Sequence, residues 1–158
     1  MILYHTSTQT ITHPDVLHSR LNLDFGQGFY LTALREQAKR YGERFIRRNE
    51  PAVMNVYEFD DEVALFSRKC FDNYDGEWLD YVSACRKGEK HTQYDLIEGG
   101  IADDKVFNTI DLYFAGIYTR EQALDQLRFE EPNHQICITS QQLIEEHLHF
   151  IKSEKIEQ

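Results

Sequence analysis

The chain has 158 residues, of which 41% are hydrophobic and 13% aromatic, and its formal net charge at pH 7 is −10. This length and composition predict one compact domain and argue against disorder, while the negative charge opposes nonspecific attraction to nucleic acids and anionic membranes. Because no run of about 18 apolar residues and no signal-peptide pattern occurs, we expect a cytoplasmic protein without a membrane partner.

Hydrophobic periodicity and turn residues predict the secondary structure. In chain order we expect a strand at 1–5, an irregular loop closed by Pro14, a strand at 28–31, a helix from Thr32 to about Arg48, a strand at 52–59, a helix at 77–87, a strand at 94–100, a helix within 103–116, a helix capped by Thr119 and Gln122, a strand at 135–139 and a helix from Ser140 to about Glu146. The segment 148–151 fits a helix or a strand. Because no regular βαβ rhythm appears, the prediction is an α+β fold. We expect a single domain at 1–152 and a C-terminal tail at 153–158.

The helix that begins near Thr32 has an apolar stripe with spacings of four, three and four, formed by Leu34, Ala38, Tyr41 and Phe45. This spacing predicts that the helix buries one side. The same segment is rich in basic residues, with six in positions 35 to 48 against two acidic ones. A solvated helix face explains this charge, and so does an electropositive platform for a phosphate-bearing ligand.

Three cysteines, Cys70, Cys85 and Cys137, are widely spaced and form no CxxC pair. We therefore expect reduced thiols. A cysteine nucleophile is the alternative, but no partner histidine is marked by the sequence.

Polar or glycine-rich positions accompany three of the predicted strands. His5 lies in LYHTS, Tyr30 follows two glycines in DFGQGFYLT (residues 24–32), and Gln135 begins QICIT. A turn needs one glycine and a core strand needs none, so we interpret the second segment as a loop that holds a flat ligand ring. Glycines there would let the backbone approach the ligand closely, although an ordinary hairpin turn would also use them.

This layout resembles the ADP-ribosyltransferase superfamily, and within it the poly(ADP-ribose) polymerase branch with its His-Tyr-Glu triad on three strands. His5 is followed by Thr6 and Ser7 where that branch has Gly and then Ser or Thr, and Tyr30 follows a GxG loop as the branch's tyrosine does. Tyr41 lies eleven residues beyond Tyr30, at the spacing of the branch's second tyrosine. The resemblance implies an ADP-ribosyltransferase-like split mixed sheet with flanking helices and NAD as co-substrate.

The resemblance also implies roles for individual residues. His5 would bond a hydroxyl of the adenosine ribose, the backbone of Thr6 would hold the nicotinamide carboxamide, and Tyr30 and Tyr41 would sandwich the nicotinamide ring. Offset stacking of this kind contributes on the order of 1 kcal/mol per pair beyond burial. The implied catalytic residues are His5, Tyr30 and Gln135, and the implied cofactor-binding residues are His5, Thr6, Ser7, Gly28, Phe29, Tyr30 and Tyr41.

Residues 3 to 139 also resemble a bacterial family of unknown function within that superfamily. The matching segments, in order, are LYHTS, DFGQGFYLT, Gln37-Ala38, YDLIEGGIADD at 94–104 and QICIT. This resemblance implies an NAD-dependent mono-ADP-ribosyltransferase, which could be the toxin of a toxin–antitoxin pair. Its acceptor would be a protein or a nucleic acid, and its partner an antitoxin protein. A catalytically weak or inactive NAD or ADP-ribose binding module is the alternative.

Gln135 departs from the superfamily pattern, which has an acidic residue at this point. A carboxylate would offset the positive charge that develops on the ribose, whereas a neutral amide keeps only the hydrogen bond. The departure argues against chain elongation and leaves mono-transfer, slow transfer or binding alone. Glu130 and Glu131 could supply the missing carboxylate, or they could lie on an exposed loop.

The remaining polar residues have simpler interpretations. Asp103 and Asp104 fit a helix cap and a first-turn acid, with a substrate-side role as the alternative. Asp24 is expected to fix the glycine loop by accepting bonds from backbone amides. His147 and His149 form an HxH pair without a third ligand nearby, so we predict no metal site.

Overall fold

The computed structural model describes residues 1–130 and 132–157. Within these ranges the protein is an α+β fold with two sheets and five helices, which confirms the predicted class. In chain order the elements are β1 (Ile2–Ser7), β2 (Phe29–Leu31), α1 (Arg35–Arg47), β3 (Val53–Phe59), β4 (Arg68–Cys70), α2 (Gly76–Lys87), β5 (Leu96–Gly99), α3 (Asp104–Phe114), α4 (Arg120–Leu127), β6 (Gln135–Ile138), α5 (Gln141–His147) and β7 (Leu148–Lys155).

The first sheet has the antiparallel order β1-β3-β7. β3 lies in its centre because it is rich in apolar and β-branched residues, and Met54, Val56 and Tyr57 are all buried. The ambiguous segment near residue 148 is the start of β7, which continues to Lys155 opposite Val53. The prediction of a tail from residue 153 was therefore wrong for 153–155, since these residues belong to the sheet.

The second sheet has the order β2-β6-β5-β4 and is mixed, because β4 and β5 run parallel while the other pairs are antiparallel. β5 and β6 form its buried centre, with Leu96, Ile136 and Ile138 almost inaccessible to solvent. β4 was not predicted from the sequence. It has only three residues, Arg68–Cys70, and its composition gives no strand signal at this edge position.

The two sheets share a hydrophobic cluster, and one backbone bridge among the described residues connects their edges. An isolated antiparallel bridge joins Tyr4 of β1 to Thr32, which directly follows β2. The Tyr4 amide donates to the Thr32 carbonyl at 2.8 Å, and the Thr32 amide donates to the Tyr4 carbonyl at 2.9 Å. Beyond this bridge the edges of β1 and β2 diverge, which leaves room for a cleft between them.

Helix α1 packs beside β1 through small residues rather than through its large apolar side chains. Ala38 and Gly42 are buried, whereas Leu34 is 48% exposed and Tyr41 is 42% exposed. The predicted buried stripe was thus wrong for Leu34 and Tyr41. The reason is that the smallest residues allow the closest approach, so the helix docks along the Ala38–Gly42 line. Thr32 does not cap this helix directly, because α1 begins three residues later, at Arg35.

Helices α2, α3 and α4 cover the second sheet with a cluster around Trp78, Val106, Ile110 and Leu127, none of which is exposed. The expected caps are present at the N-termini of α3 and α4. Asp103 accepts the Val106 amide at 3.0 Å, and Thr119 and Gln122 form the predicted capping box. The capping interpretation of Asp103 is confirmed, and the side chain of Asp104 lies outside the described part of the structure. No helix in the described ranges is both long enough and apolar enough to cross a bilayer.

Candidate functional site

A cleft of about 930 Å³ opens where β1 and β2 diverge. Its walls come from β1, β2, α1, the irregular loop between β1 and β2, Arg86 of α2, Ile101 and Ala102, Phe107 of α3 and the first residue of β6. The cleft brings together all the candidate site residues inferred from the sequence, namely His5, Thr6, Ser7, Gly28, Phe29, Tyr30, Tyr41 and Gln135. The first and the last of these residues lie 130 positions apart in the chain, so the fold rather than sequence proximity places them together.

On the edge of β1 that faces the cleft, the main-chain groups of Thr6 take part in no β-bridge to β2 among the described residues. The amide and the carbonyl of Tyr4 both form hydrogen bonds with the backbone of Thr32, so both point toward β2. Main-chain groups of alternate residues in an antiparallel strand point to the same edge, so those of Thr6 point the same way. The Thr6 side chain is turned away, with its hydroxyl donating to the Ala38 carbonyl at 2.7 Å. Thr6 therefore offers one amide and one carbonyl to the cleft.

His5 is fixed from two sides. Its ring stacks on Phe29 with centroids 4.3 Å apart, and its Nδ1 lies 2.5 Å from the Tyr30 carbonyl. A carbonyl only accepts, so Nδ1 carries the proton and donates it. Burial lowers the pKa of His5 below its ordinary value of 6.5, against the opposing effect of the Tyr30 carbonyl. In the neutral ring Nε2 is then a hydrogen-bond acceptor, and His5 lines the cleft.

Tyr30 contributes its ring to the cleft, but its hydroxyl is already engaged. The hydroxyl donates to the Gly26 carbonyl and accepts the Phe25 amide at 3.2 Å. Burial, followed by the proximity of Cys137, raises the pKa of Tyr30 far above its ordinary value of 10. The phenol therefore stays protonated, and the ring rather than the hydroxyl is what it offers to a ligand.

Each of the two loop glycines has a structural role that does not require a ligand. Gly26 has φ of +82°, a backbone conformation that favours glycine. At Gly28 a Cβ would lie 2.6 Å from Cys137 Sγ and 2.7 Å from the Ile138 carbonyl oxygen. Gly26 therefore serves a turn and Gly28 serves packing against β6, while the expectation that both glycines make room for a ligand stays a prediction.

Tyr41 lies exposed on the cleft side of α1. The guanidinium of Arg44 lies 3.8 Å from its ring centroid, and Phe45 packs against its edge at 5.8 Å. Both Tyr41 and Arg44 line the cleft. A large exposed aromatic ring beside a cation is a suitable wall for a flat ligand.

Gln135 begins β6 at the cleft and is half-buried, and its side-chain amide makes no hydrogen bond within the described ranges. Its predecessor His134 is held on both sides. Gln37 of α1 donates to the His134 carbonyl at 2.7 Å and accepts the His134 amide at 3.2 Å. The His134 ring accepts the Ala33 amide at 3.0 Å and donates to Glu98 at 2.9 Å. These bonds position the strand entry from which Gln135 projects.

This positioning network was missed at the sequence level, although Gln37 and YDLIEGG were both noted as family segments. Glu98 also belongs to this network, and it accepts a second hydrogen bond, from Arg68 at 3.0 Å. The hydrogen bond from His134, followed by that from Arg68, lowers the pKa of Glu98 to about 2. Glu98 is therefore ionised at neutral pH, which fits its role as an acceptor for two donors.

A second polar pair, between Asp24 and Arg86, was also not anticipated. Arg86 donates from Nε to Asp24 at 2.7 Å, and Asp24 also accepts the Ala102 amide at 3.0 Å. Asp24 thus ties the glycine loop to α2 and to the segment before α3. It accepts one backbone amide as predicted, but that amide belongs to residue 102 rather than to its own loop. The Arg86 guanidinium also packs over Phe107 at 4.5 Å and lines the cleft.

The structure bears on three further roles considered from the sequence, which are a carboxylate from Glu130 or Glu131, a cysteine nucleophile and a metal site. Glu130 does not line the cleft, and Glu131 lies outside the described residues. Burial raises the pKa of both Cys85 and Cys137 to about 12, which disfavours their thiolates and therefore a nucleophilic role. Across residues 1–130 and 132–157, no three His, Cys, Asp or Glu side chains are grouped as metal ligands would be.

Residues 1–150 match a family model described as "Protein of unknown function (DUF3990)". No curated protein and no solved structure gives a significant match to the chain. Because the family model covers almost the whole sequence, the chain belongs to the DUF3990 family.

Proposed function

We propose that the cleft binds NAD and that the protein is an NAD-dependent mono-ADP-ribosyltransferase. The observation that carries the proposal is the convergence of His5, Tyr30, Tyr41 and Gln135 on one cleft beside the open edge of β1. These four residues were selected on a resemblance to the ADP-ribosyltransferase superfamily, and they come from four different elements or element ends. The cleft volume of about 930 Å³ lies within the range of about 300–1,000 Å³ that is typical of ligand sites.

The proposed nicotinamide site uses main-chain and aromatic groups. The Thr6 amide and carbonyl would bond the carboxamide oxygen and the carboxamide NH₂, as one strand bonds another. The rings of Tyr30 and Tyr41 would then enclose the pyridine ring. Neither tyrosine needs its hydroxyl for this role, which agrees with the engagement of the Tyr30 hydroxyl by Gly26 and Phe25.

The adenosine ribose would bond to His5. A neutral imidazole whose Nδ1 donates to the Tyr30 carbonyl leaves Nε2 as an acceptor for a ribose hydroxyl. The stacking of His5 on Phe29 fixes the direction of that acceptor. This arrangement is the kind of preorganised contact that lowers the cost of ordering a flexible dinucleotide.

In the proposed reaction the bond between C1′ of the ribose and the nicotinamide nitrogen breaks. The nitrogen keeps the electron pair, so nicotinamide leaves as a neutral molecule and positive charge develops on the ribose. A nucleophilic oxygen or nitrogen of the acceptor then bonds to C1′ and releases its proton to solvent. Gln135 would accept a bond from a ribose hydroxyl, but a neutral amide stabilises the developing charge weakly. We therefore infer slow mono-transfer.

A second candidate is an NAD or ADP-ribose binding module without transfer activity. The observation that favours it is the absence of a carboxylate at position 135, together with the placement of Glu130 away from the cleft. Binding would then use the same His5, Thr6 and tyrosine contacts. The two candidates differ only in whether nicotinamide is released.

As part of the first candidate, we infer that the protein is the toxin of a toxin–antitoxin pair whose antitoxin covers the cleft. The family resemblance suggests this role. Exposed apolar surface at the cleft supports it, because Tyr41 is 42% exposed and Phe107 is 44% exposed. A partner that covered the cleft would bury both rings.

The test uses NAD labelled in its adenylate phosphate, incubated with the protein and a cell lysate. Transferase activity predicts label in a macromolecular fraction together with free nicotinamide, and a binding module predicts neither. His5→Asn should abolish or greatly reduce both signals, and Tyr41→Ala should reduce both about tenfold when NAD is below saturation. Phe129→Ala is the matched control, since Phe129 is also an exposed aromatic with an arginine packed on it, and it lies outside the cleft. Equal labelling by His5→Asn and the unaltered protein would refute the assignment.

A further inference from the structure

The basic residues of α1 and its C-cap residue Arg48 form two groups that differ in their ion-pair partners. Arg35 pairs with Glu154, Lys39 with Glu36 and Arg47 with Glu43. For the other three, Arg40, Arg44 and Arg48, no carboxylate of the described residues lies within 4.0 Å. These three residues are all exposed. We call them the arginine row.

The arginine row is a geometric unit. Its members are spaced by four residues, so they lie on one side of α1 and of the C-cap position that follows it. Eight residues of helix span about 12 Å along the axis. Arg44 and Arg48 lie near the helix C-terminus, where cations stabilise the helix dipole, but Arg40 lies a full turn earlier and gains little from that effect. Helix stabilisation alone therefore does not explain the row.

The row leads directly into the cleft. Arg44 is both its middle member and a lining residue, and Tyr41 beside it also lines the cleft. The net charge of the chain is −10, so most of its surface repels polyanions. The three neighbouring arginines without acidic partners form a local positive region on this surface. A polyanion would therefore be attracted to this row and repelled from most of the remaining surface.

We propose that the arginine row binds the phosphate backbone of a single-stranded nucleic acid, and that this strand is the acceptor of the transfer. The second part rests on the proposed function, whereas the binding does not require NAD. Regularly spaced cations fit the regularly spaced phosphates of one strand. A single strand is favoured over a duplex because an acceptor atom must enter the cleft beside Arg44, and bases inside a duplex must first be extruded.

The magnitude of the binding follows from the number of contacts. Three neutralised phosphates on a single strand give a slope of log K against log salt of about −2. Affinity should then fall about 20-fold between 50 and 200 mM salt, and each arginine removed should reduce the slope by about 0.7. The repulsion from the rest of the surface keeps the interaction weak and local.

The experiment measures fluorescence anisotropy of a labelled 20-nucleotide RNA, of the DNA with the same sequence, and of the RNA in a duplex, over that salt range. The test variant is the double substitution Arg40→Gln with Arg48→Gln, neither of which lines the cleft. The control is Arg128→Gln, which removes an exposed arginine that packs on an aromatic ring, as Arg44 does, but lies outside the cleft. We expect the double variant to lower the slope to about −0.7 and the control to leave it at about −2.

Saturable binding with a slope of about −2, lowered in the double variant and unchanged in the control, supports nucleic-acid binding by the arginine row. If the RNA binds more tightly than the DNA, the preferred strand is RNA, and the reverse result identifies DNA. No saturable binding at 50 mM salt, or equal slopes for the double variant and the control, would overturn it. Duplex binding as tight as single-strand binding would overturn the single-strand assignment. Calorimetry of NAD with the double variant should match the unaltered protein, which separates this inference from the proposed function. If the strand binds but acquires no label from NAD, its role as acceptor is wrong.

Discussion

His5 Nδ1 and the carbonyl oxygen of Tyr30 lie 2.5 Å apart, although 25 residues separate them in the chain. The contact joins the two sheets just beyond the Tyr4–Thr32 bridge and sets the tautomer of His5. It also links two of the residues on which the proposed NAD site depends.

The first prediction concerns the pH dependence of stability. Because the pKa of His5 is lowered in the folded protein, the unfolded chain takes up a proton first as the pH falls. The contribution of His5 to the free energy of unfolding is therefore present above its ordinary pKa of 6.5 and is lost as the pH drops toward the folded-state pKa. His5→Asn retains a donor for the Tyr30 carbonyl but cannot titrate. Urea unfolding at pH 5 to 8 should show a smaller decline for this variant, and parallel curves would contradict the account.

A second prediction concerns Glu98. Hydrogen bonds from His134, and then from Arg68, lower the pKa of Glu98 to about 2, below its ordinary value of 4.5. The stability that Glu98 contributes is thus present above pH 4.5 and is lost as the pH falls toward 2. Glu98→Gln should cost roughly 1–3 kcal/mol at pH 7, since the donors lose a charged acceptor. The difference from the unaltered protein should shrink between pH 4.5 and pH 3, as measured by denaturant unfolding. A constant difference would show that the charge of Glu98 contributes nothing.

The two loop glycines should respond differently to alanine. Gly28→Ala places a Cβ against Cys137 and the Ile138 backbone, so we expect a loss of roughly 1–3 kcal/mol from overpacking. Gly26→Ala meets no atom within 4 Å, but its φ of +82° costs about 1 kcal/mol for a residue with a Cβ. Chemical denaturation of the two variants tests this order. A greater loss of stability in Gly26→Ala than in Gly28→Ala would contradict the close contact between Gly28 and β6.

Restoring a carboxylate at position 135 tests the catalytic half of the proposal. Gln135→Glu would place a negative charge where the ribose becomes positive, so nicotinamide release from NAD should rise on the order of 10- to 100-fold. Gln126→Glu is the control, because it makes the same change on the exposed side of α4. Chromatography of released nicotinamide measures both. If Gln135→Glu binds NAD but shows no faster release, the binding module is favoured over the transferase.

Most elements could be predicted because they depend on local patterns. The helices at 77–87 and near 119 were recognisable from apolar spacing and from the Thr119–Gln122 pair, which forms the capping box. β4 could not be recognised, since a three-residue edge strand needs no apolar residues. The end of β7 was also missed, because residues 153–155 are polar and are ordered by pairing with β3.

The candidate site was predictable only as a set of residues. Tyr41 was placed in the core by its spacing with Ala38 and Phe45, whereas the structure exposes it at the cleft. α1 instead docks on its Ala38 and Gly42 side, where a Cβ at Gly42 would lie 2.7 Å from Cδ1 of Ile156 and in ordinary contact with Thr6 and Ala52. The Gln37–His134 and Asp24–Arg86 contacts connect segments 97 and 62 residues apart, and no local pattern reports such pairs.

The central claim is that this cleft holds NAD with its nicotinamide against Tyr41, and isothermal calorimetry with NAD tests it most directly. We expect one saturable site per chain, with affinity about tenfold weaker in Tyr41→Ala, as the loss of one aromatic stacking contact implies, and unchanged in Phe129→Ala. The absence of any binding heat from the unaltered protein, confirmed by equilibrium dialysis, would contradict the account. So would equal affinity for NAD in Tyr41→Ala and Phe129→Ala.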